Sequence, residues 1–346
     1  MTFQKPIVHD LSYEDLESRL VAMGEPSFRA KQIWTAMYQN FVTDVMEIST
    51  LSLDLREALS KKYCFSPLTP AKELETKDGQ TRKVLFNLQD NALIEAVLML
   101  YDERRTICIS SQSGCGLGCA FCATGQMGLT RNLSAGEIVA QVLYFAQHLS
   151  AMNERITNVV MMGMGEPFLN YENVMAAIDR IMDSEGIGIG ARRITISTVG
   201  IVPKIKQFAD AGTQVNLAIS LHTVDDALRT QLIPINKKYP VKRVLEACRY
   251  YLEKTNRRVT FEYALITDVN DSVKEAEALV RRIKGMNCHV NLIRLNPTPG
   301  FNEESAHHDK VKAFRDVLEG YQIPCTIRLG RGIEIAAGCG QLAVEE

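Results

Sequence analysis

Apolar residues in the first sixty positions recur at helical spacing. Leu16, Leu20 and Val21 follow Ser12-Tyr13-Glu14-Asp15, a capping-box arrangement in which hydroxyl and carboxylate side chains three residues apart satisfy free amide groups. A second helix is predicted after Ser27, with Ile33, Trp34 and Met37 on one side. A third is predicted from about Ser52, with Leu53, Leu55 and Leu59 turned inward. The period then changes. Residues 81–88 alternate loosely, Asp90-Asn91 marks a turn, and 92–100 is a second apolar run, together a β-hairpin. A further strand at 106–110 leads on. From there, short β-branched runs at 158–162, 193–197, 215–220, 259–265 and 289–293 alternate with helix-length segments at 135–147, 171–182, 204–211, 241–254 and 273–283. Repeated βα units of this kind make a parallel sheet or barrel, with chemistry expected at the C-terminal ends of its strands. Six units fit. The expected fold is therefore α/β, with a helical accessory domain at 1–64, a β-hairpin connector at 65–104 and a βα core at 105–346.

Composition narrows the class. At about 150 residues per domain, 346 residues suit roughly two domains. Apolar residues at 46% exclude a disordered chain, which would lack the surface to offset its ordering entropy. No apolar run approaches the ~18 residues of a membrane span, and the first residues have no apolar secretory core, so no membrane role is expected. With 39 basic and 41 acidic residues the net charge is −2, which excludes a bulk polycation but not a local basic patch. Nine cysteines, an odd number, argue against a secreted disulfide framework and for a reducing, cytoplasmic setting.

The cysteines carry the chemistry. Cys115, Cys119 and Cys122 fall within eight residues directly after a predicted strand. Structural zinc usually takes four ligands, so a zinc knuckle would need a fourth from elsewhere. A cubane iron–sulfur cluster on three thiolates leaves one iron open to a small molecule. Gly114, Gly116 and Gly118 allow the backbone to wrap a bulky core. Past the later strands stand Gly163-Met-Gly-Glu166-Pro167, Ser197-Thr198, Ser220-Leu221-His222 and Asn296-Pro297, polar groups where a barrel would present a ligand.

The spacing C-x3-C-x2-C, with Phe121 before the last cysteine, resembles the radical S-adenosylmethionine (SAM) superfamily. The resemblance implies a partial (β/α)6 barrel and a [4Fe-4S] cluster on Cys115, Cys119 and Cys122. It further implies SAM held by Gly165, Glu166, Ser197, Ser220, Leu221, His222 and Asn296. An electron from the cluster would cleave SAM to a 5′-deoxyadenosyl radical. A wider set of motifs resembles one family within it, the dual-specificity RNA adenine C2-methyltransferases. These are Cys108-Ile-Ser-Ser-Gln-x-Gly-Cys115, Phe121-Cys-Ala-Thr-Gly-Gln-Met-Gly128, Arg131-Asn-Leu133, Met162-Gly-Met-Gly-Glu-Pro167 and Cys339-Gly-Gln-Leu342, in a match covering about 10–345. One departure is Ala336-Ala337-Gly338, where the family commonly has Asp-Ala-Ala.

That resemblance implies the reaction and its parts. The substrates would be adenosine 2503 in the peptidyl-transferase centre of 23S rRNA and adenosine 37 of tRNA. Adenine C2 is electron-poor and has no lone pair, so it cannot displace a methyl from SAM directly. Cys339 would first take a methyl from one SAM, and a second SAM would supply the radical. Glu95, a carboxylate inside an apolar strand, would accept the C2 proton. Cys108 would then attack Cys339, leaving a transient disulfide. An external electron donor such as flavodoxin or ferredoxin, a thiol reductant and a monomeric enzyme complete the expectation. Flanked by Gly338 and Gly340, Cys339 itself reads as sterically open and mobile.

The sister family that methylates C8 of the same rRNA adenosine shares the triplet, Cys339 and Cys108. It commonly has Ala in place of Pro167 and lacks the Gln126-Met127 pair, so both features favour C2. A non-catalytic iron–sulfur or zinc RNA-binding protein would need the triplet but not Cys339, Cys108 and Glu95 as a set. Radical chemistry on a small molecule or protein would not need the methyl-carrier tail. Among the basic residues, Arg104-Arg105, Arg328 and Arg331 flank the expected site and are candidates for phosphate contact.

Overall fold

In the computed structural model, which describes residues 4–328 and 330–343, the opening segment is helical as predicted. Ser12 Oγ accepts from the Asp15 amide at 3.0 Å while Asp15 Oδ2 accepts from the Ser12 amide at 3.3 Å, closing the capping box of α1 (Tyr13–Ala22). Helix α2 (Phe28–Tyr38) buries Ile33, Trp34 and Met37. Ser52 Oγ caps α3 (Leu53–Lys62) through the Leu55 amide. Leu53, expected inward, faces solvent instead, as does Val21. The pairs Leu16/Leu20 and Leu55/Leu59, four residues apart, hold the buried stripe without them.

Three antiparallel strands follow rather than two. β1 (Leu68–Glu75) pairs with β2 (Thr81–Leu88), and β2 with β3 (Leu93–Leu100). β3 then pairs antiparallel with β4 (Arg105–Cys108), setting Val97 opposite Cys108. The cysteine segment makes a small excursion of its own: β5 (Gln112–Cys115), α4 (Ala123–Met127) and β6 (Gly128–Asn132), with β5 and β6 paired. The alternation predicted downstream is then realised as α5 (Ala135–Ser150), β7 (Asn158–Met161), α6 (Tyr171–Met182), β8 (Ile194–Thr198), α7 (Val202–Asp210) and β9 (Asn216–Ser220). It continues through α8 (Asp226–Leu232), α9 (Val241–Thr255), β10 (Val259–Leu265), α10 (Val273–Ile283), β11 (Cys288–Arg294), α11 (His308–Gly320) and β12 (Cys325–Arg328).

One ten-stranded sheet runs β1-β2-β3-β4-β7-β8-β9-β10-β11-β12. From β4 onward every neighbour is parallel. The order ends at β12 without returning to the start, so among the described residues the barrel is partial. The six expected parallel strands are present, and β12 adds a seventh. Each parallel strand needs a crossover connection, and these helices cover the outer face of the sheet. One apolar core extends from Val8 to Leu342, so the N-terminal helices pack on the α/β body.

The junction is tight at Gly136, in the first turn of α5. A Cβ there would come within 2.7 Å of Ile7 Cγ2 and 3.0 Å of both the Asp10 amide and Asp10 Oδ1. The Gly136 amide also donates to Asp10 Oδ1 at 2.7 Å. In an open helix Gly→Ala would stabilise by up to about 1 kcal/mol. Here crowding against backbone dominates, and Gly136→Ala is expected to cost about 1–3 kcal/mol. Urea unfolding would read the loss, with faster amide exchange in residues 7–11 marking its location.

Candidate active site

The parallel strands end at one mouth, and the expected chemistry gathers there. One cleft is lined by Cys115, Cys119 and Cys122 from the excursion, by Gly163, Gly165 and Glu166 after β7, and by Ser197 and Thr198 of β8. Ser220 at the end of β9, His222 after it, Glu262 of β10, Asn296 after β11, Arg328 of β12 and Cys339 are also on its wall. Of the residues expected to hold SAM, Leu221 alone is not on this wall. Its side chain is buried in the core, and its carbonyl accepts from Arg229 Nε at 3.1 Å.

The strand-end residues are tied together by buried hydrogen bonds. Glu166 Oε1 accepts from the Phe168 amide at 3.1 Å and Oε2 from the Val199 amide at 2.9 Å, joining the ends of β7 and β8. Burial pushes its carboxyl up to about 7 against those bonds. Gly165 has φ +97°, and a Cβ there would meet the Gln112 side chain at 2.5 Å. Gln112 in turn accepts from the Glu166 amide at 2.8 Å and donates to Asn132 at 2.7 Å. His222, at φ 60°, accepts on Nδ1 from the Ala264 amide at 2.9 Å, which leaves its hydrogen on Nε2. Burial, helped by Arg229, lowers its pKa to about 3, so the ring is neutral. Ser197 and Ser220 lie 3.3 Å apart, Oγ to Oγ.

The donor set suits an iron–sulfur cluster. Three thiols share one cleft face with apolar Leu117 and Phe121. Burial pushes Cys115 up to about 11 and raises Cys119 and Cys122 as well, so a cationic partner is what would hold them as thiolates. Among the described residues no three His, Cys, Asp or Glu side chains converge on a single metal ion. A four-iron cluster asks for a different arrangement, one thiolate on each of three irons.

Cys339 is held more firmly than two flanking glycines suggest. Asn296 Nδ2 donates to the Cys339 carbonyl at 2.9 Å, and Gln341 Nε2 to the Pro297 carbonyl at 3.1 Å. From the cysteine excursion, the Ala123 amide donates to the Gly340 carbonyl at 2.8 Å and Thr124 Oγ1 to the Leu342 carbonyl at 2.5 Å. The half-buried thiol therefore borders two cavities. One is the cleft above. The other is lined by Cys108, Met99, Tyr101, Met162, Arg294, Arg331 and the tail. Cys108 and Cys339, far apart in sequence, share this second cavity. Burial, reinforced by Cys339 and opposed by Arg328, pushes the Cys108 thiol up to about 12.

Arg328, at the end of β12, is partly exposed and lines both cavities. Its Nη1 lies 3.8 Å from Met162 Sδ and 3.9 Å from Glu262 Oε2. Its neighbours Cys339 and Glu262 outweigh burial, so the guanidinium stays charged. Of the other basic candidates, Arg105 is paired with Glu154. Arg104 and Arg331 instead lie over the Tyr101 ring at 5.1 and 4.4 Å from its centroid, beside the second cavity.

Glu95 is buried but lies on neither cavity wall. It lines a separate small cavity with Lys83 and residues 334–336 of the tail. Lys83 Nζ pairs with Glu95 Oε1 at 2.8 Å and donates to the Ala336 carbonyl at 3.2 Å. The two are diagonal neighbours, since Lys83 is opposite Val97 and Glu95 opposite Leu85. Sequence reasoning missed Lys83, although counting outward from the predicted turn would have brought it beside Glu95. It also missed Glu262, for which a single strand glutamate offers no local signal.

Removing one partner of a buried ion pair costs about 3–5 kcal/mol, because the other charge stays behind. Lys83→Met is expected to lose that much in thermal unfolding, and adding Glu95→Gln should restore part of it. A Lys83→Met protein as stable as the parent would show that the pair does not hold the tail.

Comparisons with known proteins place the whole chain in a family. A radical SAM superfamily model matches residues 109–305, and a model described as the ribosomal RNA large subunit methyltransferase N-terminal domain matches 8–65. A probable dual-specificity RNA methyltransferase RlmN from Chloroflexus aurantiacus is 46% identical over 347 residues, covering 97% of this chain and 92% of that protein. Its namesake from Staphylococcus aureus is 45% identical, covering 99% and 94%. The crystal structure of a radical SAM methyltransferase from Sphaerobacter thermophilus superposes with a TM-score of 0.96 at 47% identity, covering 97% of this chain and 99% of that one. Superfamily membership implies a [4Fe-4S] cluster and SAM. The chain belongs to the radical SAM superfamily and, within it, to the family of SAM-dependent dual-specificity RNA methyltransferases.

Proposed function

We propose that this protein methylates C2 of adenosine, at position 2503 of 23S rRNA and position 37 of tRNA, with Cys339 as methyl carrier and Cys108 as the thiol that frees the product. The observation that carries this reading is the position of Cys339, on the shared wall between the three-thiol cleft and the cavity containing Cys108. When bound, the cluster and SAM supply the methyl group and the hydrogen-abstracting power, one SAM for each, two per turnover.

The remaining steps belong to this chain. Cys339 Sγ takes the methyl by displacement, losing its proton as the carbon–sulfur bond forms. The adenine leaves its stack to reach the carrier through the second cavity, where the Cys339-bound methyl gives up one hydrogen atom and its carbon bonds to C2. Glu95 accepts the C2 proton, and the one surplus electron would return to the cluster. In this conformation the turn at Ala336 and Ala337 separates Glu95 from Cys339, since Ala336 faces one cavity and Ala337 the other. Glu95 therefore acts once the Lys83 contact with Ala336 opens. Cys108 thiolate attacks Cys339 Sγ, breaking its bond to carbon. The electron pair stays with the carbon, which takes a proton and becomes the methyl group, leaving a Cys108–Cys339 disulfide for a thiol reductant to reset.

RNA is gripped by shape and by splayed bases. Arg104 and Arg331, clamped on Tyr101, and the N-terminal helices supply the contacts. The enzyme works as a cytoplasmic monomer fed by an external donor such as flavodoxin or ferredoxin. Among the described residues no helix is long and apolar enough to cross a membrane.

Three outcomes are expected. Anaerobically reconstituted protein with SAM, reductant and unmodified 23S rRNA fragment or tRNA should give 2-methyladenosine by nucleoside mass spectrometry. The product should vanish in Cys339→Ala, and an 8-methyladenosine product would move the site of attack to C8. Cys108→Ala should accumulate a covalent RNA–protein adduct through Cys339; adduct-free protein from cells containing substrate would remove Cys108 from the release step. With the Cys108 thiol pushed up to about 12, single-turnover release should quicken by about tenfold per pH unit between roughly pH 7 and 9. A flat profile would show that thiolate formation does not limit release.

A further inference from the structure

Arg229, on α8, is completely buried. Its Nε donates to the Leu221 carbonyl at 3.1 Å and its Nη1 to Asn236 Oδ1 at 2.8 Å. Its Nη2 donates to the carbonyls of Val199 and Ser220 at 2.7 and 3.1 Å. Every acceptor is neutral. Among the described residues no carboxylate lies within ion-pair distance of the guanidinium. Hydrogen bonds to carbonyls orient a cation but do not cancel its charge, and a buried charge without a counter-ion is strongly unfavourable. Burial lowers its pKa only to about 10, so it stays cationic at neutral pH.

The anion that fits is close by. Helix α8 backs the cysteine excursion: Leu232 packs with Cys119, Leu228 joins the same apolar group as Leu117, Phe121 and Cys122, and the Ala120 amide donates to the Leu232 carbonyl at 3.0 Å. Three thiolates would concentrate negative charge in this low-dielectric corner. Each electron added to the cluster would increase it by one.

We propose that Arg229 is the fixed counter-charge of the iron–sulfur cluster, raising its reduction potential while bracketing the ends of β8 and β9 that face SAM. The inference rests on Cys115, Cys119 and Cys122 holding that cluster. As a positioning residue, Arg229 makes the more negative, reduced state easier to reach for a one-electron donor.

The test is a spectroelectrochemical titration of the full-length, anaerobically reconstituted protein, with iron and sulfide counted first. In Arg229→Gln, which keeps amide donors but loses the charge, the ratio of reduced to oxidised cluster at a fixed potential should fall about tenfold, or about 59 mV for one electron. Arg229→Lys should stay near the parent. Asp226→Asn leaves Arg229 in place and removes a carboxylate acting on it, so the ratio should rise. This variant carries the test even where Arg229→Gln does not fold. Potentials unchanged in both Arg229→Gln and Asp226→Asn, or shifted equally by Gln and Lys, would overturn the counter-charge role. A parent protein that binds no iron would overturn the cluster assignment and this inference with it.

Discussion

Where parallel strands end, their amide and carbonyl groups must find partners inside the protein, because a buried one left alone costs as much as a lost hydrogen bond. That requirement shapes the whole mouth of this barrel. Glu166 answers it for the amides of Phe168 and Val199. Ser110 Oγ donates to the Glu95 carbonyl and accepts from the Met164 amide. Asn270 accepts from the Ile266 amide and donates to the carbonyls of His222 and Ala264. Arg229 serves three more carbonyls. The walls of the reactive cleft are thus made of side chains whose first duty is to the backbone, and the residues left facing inward are positioned by them.

The tail is fixed by the same means. Its carbonyls at Cys339, Gly340 and Leu342 are satisfied partly from β11's end and partly from the cysteine excursion. The positions of Cys339 and of the Cys115, Cys119 and Cys122 triplet are consequently not independent. An error in the excursion would displace the tail as well.

Much of this was legible in the chain. The six parallel strands, the capping box at Ser12, the triplet and the glycine-rich strand end at Gly163–Glu166 all carry local signatures. The seventh strand does not, because β12 is four residues long and none of them is fully buried. β1 escaped for a related reason: almost every residue after Leu68 is exposed, as suits a sheet edge, so no alternation marks it. Glu95 reads as a carboxylate among apolar neighbours, and only pairing register reveals Lys83 beside it. Asn296 reads as a ligand-binding group, whereas in the fold its amide also holds the tail. Arg229 reads as an ordinary surface charge on a short helix. Nothing local announces that its hydrogen-bond partners are three carbonyls and a side-chain amide, with no carboxylate among them.

A sulfur on the party wall between two cavities has a kinetic meaning. Whatever occupies either room lies against Cys339 and against the same neighbouring residues, Asn296, Arg328 and Leu342 among them. The wall is a strap pinned at Asn296 and Thr124. Crowding in either room presses on the same strap, which makes each guest sensitive to the size of the other. Selectivity for the pair of guests can thus be set by a few atoms that belong to neither binding surface alone.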